Sequence, residues 1–206
     1  MKFIIGTKAG MTQVFDENGT CKAVTVLKVE PARVSQVKNV DTDGYDAVQI
    51  ATGEQKDHRV AKAQKGHFGT GVRHVKEFRP KFNEENKVSE VEKGTTFDAS
   101  AFTPGDKVAV RAVSKGKGFQ GVVKRHGFAG GLRTHGQKHS EREPGSIGST
   151  GNNRVIKGTR MAGRMGSDMV MVKNLQVVQV NKEENTLLIS GAVPGRKGTL
   201  VEVRGI

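Results

Sequence analysis

Residues 111–166 carry most of the net charge of this chain, and they constrain its fold more than any other segment. They contain twelve Lys/Arg against two Asp/Glu, together with 13 of the 27 glycines. The flanks are nearly balanced, with 17 against 15 in residues 1–110 and 5 against 4 in residues 167–206. The stretch REPGSIGSTGNNRVIKGTRMAGRMG, Arg142 to Gly166, has too few apolar residues to form its own core. Because concentrated charge maximises self-repulsion, this segment is predicted to bind a polyanion.

The sequences on either side are predicted to form β structure. FIIGTKAGMTQVF and CKAVTVLKV flank an Asn18-Gly19 turn, which is the strongest short-range hairpin signal. Further strands are expected in VSQVKNV, DAVQIATG, KVAVRAVS, MVMVKNLQVVQV, TLLISGAV and TLVEVRGI. Short antiparallel strands without a βαβ alternation favour a closed or nearly closed β-barrel.

The expected organisation is therefore a mainly β fold with a long irregular extension. Residues 1–110 and 167–206 are predicted to form an antiparallel β-barrel body. Within the body, residues 63–100 are a candidate small insertion with a short helix, because Ala63 to Phe82 has mixed apolar spacing. Residues 111–166 are predicted to form the Gly-rich, basic extension.

The composition excludes several classes of protein. The single cysteine, Cys21, excludes an internal disulfide framework and a zinc site built on cysteines, and it is predicted to be a buried or half-buried strand residue. No apolar run approaches the ~18 residues that a membrane-spanning helix needs. The N-terminus MKFIIGTKAG resembles neither a signal peptide nor a transit peptide, so a cytoplasmic protein is expected.

The sequence does not support either of two catalytic interpretations. Gly116, Gly118 and Gly121 match G-x-G-x-x-G after a predicted strand, but the glycines that follow leave no room for the crossover helix of a dinucleotide site. The glycines of this motif are predicted instead to let the backbone approach phosphates. Ser146 and Ser149 lack a G-x-S-x-G context and a base oriented by a carboxylate, so neither is predicted to be a nucleophile.

A metal site is not predicted either, and no cofactor is expected. His126, His135 and His139 fall within 14 residues, but no cysteine lies nearby and no acid occupies the H-E-x-x-H position. Histidines among so many cations are predicted to contact bases or phosphates instead.

Within the polyanion class, the sequence favours a large folded RNA. The chain has no recognition helix, no heptads and no zinc finger for a major groove, and no RNP-like aromatic motif for single strands. A non-ribosomal structured-RNA-binding protein or an architectural nucleic-acid protein remains the alternative. The predicted RNA-binding residues are Lys115, Lys117, Lys124, Arg125, His126, Arg133, His135, Lys138, His139, Arg142, Arg154, Lys157, Arg160 and Arg164.

The order of motifs resembles that of the universal large-subunit ribosomal protein L-three family. The signature lies in FTPGDKVAVRAVSKGKGFQGVVKR, Phe102 to Arg125, with its cations and glycines at the expected spacing. The resemblance covers essentially the whole chain and includes IIGTKAGMTQVF, GHF, PGSIG, MAGRMG, VKNLQVV and GAVPG. Two positions depart from the usual pattern. Ala109 replaces Asp or Asn and is expected to alter a local turn, while Ser149 replaces a glutamine that is methylated in many bacterial members.

The resemblance implies a structural, non-enzymatic protein of the cytoplasmic ribosome. Members have a translation-protein-type barrel and an extension that threads through 23S-type rRNA toward the peptidyl transferase centre. They bind near the 3′ end of that RNA, act early in subunit assembly and adjoin the L-fourteen and L-nineteen proteins. By this resemblance, the tip of the extension would be Ser149, Thr150, Gly151, Asn152 and Asn153.

Overall fold

The computed structural model describes residues 2–79 and 91–206, and it confirms the mainly β class. Its strands are β1 (Phe3–Phe15), β2 (Cys21–Val29), β3 (Ala32–Lys38), β4 (Ala47–Glu54), β5 (Val72–Phe78), β6 (Thr96–Phe97), β7 (Lys107–Val113), β8 (Phe119–Gln120), β9 (Gly163–Arg164), β10 (Met169–Asn181), β11 (Thr186–Ser190) and β12 (Leu200–Gly205). The helices are α1 (Val40–Asp43), α2 (Lys62–Phe68) and α3 (Val122–His126), with 3₁₀ turns at Asp57–Arg59 and Ala99–Ala101.

Six antiparallel strands form a closed barrel in the order β1-β12-β7-β10-β11-β2. The predicted hairpin is present, because β1 and β2 pair antiparallel around a turn in which Gly19 has a φ of +74°. Alternate barrel residues point inward, and Ile4, Leu27, Val108, Val110 and Val203 form part of one buried apolar cluster.

Strands β3 and β4 belong to a second sheet, of order β5-β4-β3-β6, and not to the barrel. The chain therefore leaves the barrel at Ala32, well before the start of the candidate insertion at 63–100. Part of that candidate insertion lies outside the described residues. Strand β1 serves both sheets: Ile4 faces the barrel interior, while Phe3 and Ile5 pack on Val34 and Ile50 of the second sheet. Because each face of β1 is buried in this region, alternation alone could not reveal the second sheet.

Two residue environments differ from expectation. Cys21 is the first residue of β2, beside the hairpin turn, and it is exposed rather than buried. Ala109 lies in the middle of β7 and is 2% exposed, so its departure from the family pattern affects a strand and not a turn. Within the described part of the chain, no helix is long and apolar enough to cross a membrane.

Contacts divide the chain into two compact units. One comprises residues 1–113 and 169–206 and contains both large sheets. The other, residues 114–168, is called the arm below. Of the arm's residues, Val122 alone is buried.

Candidate nucleic-acid interface

The arm begins and ends in a short antiparallel ladder. Strand β8 pairs with β9, and the Lys117 amide donates to the Met165 carbonyl at 2.9 Å while the Met165 amide donates to the Gly118 carbonyl at 3.0 Å. Gly166 makes this approach possible, because a Cβ at its position would lie 2.2 Å from the Lys115 carbonyl oxygen. Its φ of +76° also favours glycine. The antiparallel pairing is incompatible with the parallel βαβ unit of a dinucleotide site.

A side-chain bracket lies beyond this ladder. The last two residues of helix α3, which is capped by Gly127, reach the same carbonyl: Arg125 Nη1 donates to the Met161 oxygen at 2.7 Å, and His126 Nε2 lies 3.0 Å from it. Gly163 lies against the Arg125 guanidinium, where a Cβ would be 2.6 Å from Nη1. These two predicted RNA contacts therefore have bonds within the arm.

A second closure joins residues 130–131 to residue 141. The Gly131 amide donates to the Glu141 carbonyl at 2.9 Å, and Arg133 forms an ion pair with the Glu141 carboxylate at 2.9 Å. Gly130 has a φ of +78°, and a Cβ there would lie 2.2 Å from the Glu141 carbonyl oxygen. The predicted cation Arg133 is thus partly neutralised by its own chain.

The distal loop, residues 142–160, has only local hydrogen bonds. Ser146 Oγ donates to the Gly148 carbonyl at 2.9 Å, and Thr159 Oγ1 donates to the Ile156 carbonyl at 2.7 Å. The Asn152 amide donates to the Ser149 carbonyl at 3.3 Å, within the predicted tip. No side chain of the distal loop is buried.

Eight predicted cations are exposed, and none has a side-chain hydrogen bond or ion pair to any residue that the structure describes. We call them the free cations: Lys115, Lys117, Lys124, Lys138, Arg142, Arg154, Lys157 and Arg160. Three other arginines are paired within the arm. Besides Arg125 and Arg133, Arg164 forms an ion pair with Asp168 at 3.0 Å. The structure thus divides the predicted RNA-binding lysines and arginines into free cations and paired arginines, which the sequence could not distinguish.

The three histidines of the arm have different environments. His126 belongs to the bracket, while His135 and His139 are exposed, and His135 adopts a left-handed backbone with a φ of +59°. No group of three His, Cys, Asp or Glu side chains suited to a metal ion occurs in residues 2–79 and 91–206.

Exposed apolar side chains in the arm were missed at the sequence level. Phe119, Leu132 and Ile156 are 76%, 67% and 63% exposed. The exposed ring of Phe119 offers a face on which a base can stack. The sequence signal for such side chains is an isolated apolar residue between cations.

Comparison with known proteins assigns the family. Residues 81–187 match the family model described as Ribosomal protein L3. Proteins named "Large ribosomal subunit protein uL3" from Roseiflexus, Thioalkalivibrio sulfidiphilus and Dichelobacter nodosus are 49%, 48% and 43% identical. Each alignment covers 98% of this chain, and it covers 95%, 95% and 96% of these relatives respectively. As its order of motifs predicts, the chain belongs to the ribosomal protein L3 family of structural, non-enzymatic proteins of the large ribosomal subunit.

Proposed function

We propose that the arm anchors this protein in 23S-type rRNA and carries its tip toward the peptidyl transferase centre. The free cations neutralise phosphates, and the glycines allow the backbone to approach them. The family resemblance supports three finer parts of this proposal: binding near the 3′ end of the RNA, early entry into the assembling subunit, and contact with the L-fourteen and L-nineteen proteins.

The observation that carries the proposal is the set of eight exposed cations on a segment with one buried residue. Ordering a backbone costs about 1–2 kcal/mol per residue, which amounts to roughly 20–40 kcal/mol for the distal loop. The distal loop buries no side chain, and the one buried residue of the whole arm, Val122, returns only about 1.5–3 kcal/mol. Since its own contacts cannot offset this cost, the arm needs an external surface, and its charge requires that surface to be anionic.

The tip has a different role from the anchors. Ser149 to Asn153 contains no charged residue, so it contributes little to electrostatic attachment. Because it lies between Arg142 and Arg154, two of the free cations, phosphate contacts on both sides would hold it in place. We propose that the tip adjusts the conformation of RNA at the catalytic centre and supplies no catalytic group.

The test is directed hydroxyl-radical cleavage from a tethered Fe(II) probe. Cys21 is exposed and would react, so the probe is attached to Thr150→Cys in a Cys21→Ser background. The control carries the probe at Glu183→Cys, on the exposed turn after β10. We expect cleavage of peptidyl transferase centre nucleotides from position 150 alone. Cleavage confined to other parts of the subunit from position 150 would overturn the proposed path of the arm.

A further inference from the structure

A cavity of about 220 Å³ outside the arm is lined by three arginines. Arg79 follows β5, Arg111 lies on β7 and Arg204 lies on β12. Ala109 forms part of the wall and pairs across the strands with Arg204. We call this cavity the arginine pocket. All of its lining residues belong to the unit formed by residues 1–113 and 169–206.

The two carboxylates at the pocket are already engaged by lysines. Glu77 accepts from Lys38 Nζ at 2.6 Å and from the Tyr45 hydroxyl at 2.9 Å. Glu202 Oε1 lies 3.2 Å from Lys76 Nζ. Glu202 Oε2 lies 3.8 Å from Arg111 Nη1, which is a long distance for an ion pair. Neither carboxylate therefore neutralises the arginines fully.

The other two arginines, Arg79 and Arg204, form no ion pair with any residue that the structure describes. Arg204 is half-buried, and among the described residues its guanidinium donates only to the Met171 sulfur at 3.5 Å, a weak acceptor. Arg79 is exposed, and its Cζ lies 3.9 Å from the centroid of the Tyr45 ring, a cation–π contact that does not itself occupy the N–H groups. A half-buried guanidinium without an anionic partner is costly, so the pocket favours a ligand that supplies negative charge.

We propose that the arginine pocket binds one phosphate of the RNA backbone, as a second RNA contact independent of the arm. The planar guanidinium fork matches phosphate oxygens. The partly exposed Met171 and the half-buried Phe78 give the rim an apolar surface for the adjoining sugar. This proposal rests on the proposed RNA-binding function and adds a site to it.

The test measures the salt dependence of binding to protein-free large-subunit rRNA, with the full chain. Arg79→Gln combined with Arg204→Gln should reduce the log–log slope by roughly 0.7–0.9, as expected for one lost phosphate contact. Ala109→Asp, which retains all three arginines, should cause the same loss by placing an internal carboxylate opposite Arg204. Two Lys→Gln changes at Lys2 and Lys22, which pair with Asp106 and Asp16, provide the charge-matched control and should leave the slope unchanged.

Thermal unfolding of each variant shows whether it is folded. If Ala109→Asp does not fold, the salt slope of the double arginine variant alone tests the proposal. A wild-type slope for that variant overturns the proposal. If that variant keeps a wild-type slope but is lost from assembled subunits, the arginine pocket holds an acidic side chain of a neighbouring protein and not a phosphate. Failure of the proposed function itself looks different, because the wild-type chain would then show no preference for this RNA over duplex DNA.

Discussion

At the scale of single residues, Lys124 and Arg125 are adjacent cations of α3 with different partners. Lys124 is a free cation, whereas Arg125 donates to the Met161 carbonyl. We expect Lys124→Gln to reduce the log–log salt slope of rRNA binding by roughly 0.7–0.9. Arg125→Gln should change the slope little but accelerate tryptic cleavage between residues 126 and 161, because the bracket is lost. Equal slopes for the two variants would contradict this division.

Gly166 provides a second residue-scale test. Alanine there would combine the left-handed backbone, which costs about 1–2 kcal/mol, with a collision against the Lys115 carbonyl. We expect Gly166→Ala to abolish hydrogen-exchange protection of the Lys117 and Met165 amides. The control is Gly158→Ala, where φ is +86° but no atom lies within 4 Å of the added Cβ. Retained protection in Gly166→Ala would mean that the ladder does not depend on this close approach.

The sequence located the cations but not their partners. Which residues are basic can be read directly, and so can the concentration of charge in residues 111–166. The pairing of Arg125 with Met161 joins positions 36 apart through an irregular chain, and no periodicity predicts such a contact. Arg204 and Ala109 were likewise not recognised as neighbours, because their meeting depends on the register of β12 against β7.

At the scale of elements, the six barrel strands followed from apolar runs between turn residues, whereas β5 and the assignment of β3, β4 and β5 to a second sheet did not. These strands are joined by a polar cluster, in which Lys38 of β3 bonds to Glu77 of β5 and Tyr45 bonds to the same carboxylate. The hydrogen bond from Lys38 lowers the pKa of Glu77 below its ordinary value of 4.5, and the bond from Tyr45 acts in the same direction.

This cluster makes stability depend on pH. Because the unfolded carboxylate binds its proton more readily, the contribution of Glu77 is full above about pH 4.5 and is lost as pH falls through the lowered value. We expect Glu77→Gln to lower the melting temperature at pH 7 and to reduce its decline in acid. Glu183→Gln, on an exposed turn, is the control and should leave the curve unchanged. Parallel wild-type and Glu77→Gln curves below pH 4.5 would contradict the assignment.

The tip gives a second test at this scale. Deleting Ser149 to Asn153 removes no charge and no buried side chain, so we expect nearly normal occupancy of the protein in large subunits. The rate of peptidyl transfer, or the sensitivity to inhibitors of that centre, should change because the neighbouring RNA shifts. Peptide-bond formation by purified subunits, with and without inhibitor, measures this. Unaltered activity and drug response at normal occupancy would contradict the role of the tip.

At the scale of the whole molecule, we expect folding and attachment to RNA to depend on different residues. The barrel and second sheet bury two apolar clusters, while the arm has one buried valine and eight free cations. As a ribosomal protein, the chain acts in the cytoplasmic ribosome, where RNA can supply the ordering contacts that the arm lacks. We therefore expect RNA, rather than internal packing, to determine the bound conformation of the arm.

The most direct test of this claim compares two triple variants of the arm that remove the same residue type and the same charge. One replaces the free cations Arg142, Arg154 and Arg160 by Gln, and the other replaces the paired Arg125, Arg133 and Arg164. The measurement is the log–log salt dependence of binding to large-subunit rRNA. We expect the first variant to lose roughly 2–3 in slope and the second to lose little, because its arginines already have partners in the chain. Equal losses, or no loss in either variant, would contradict the proposal that the free cations form the RNA-binding surface.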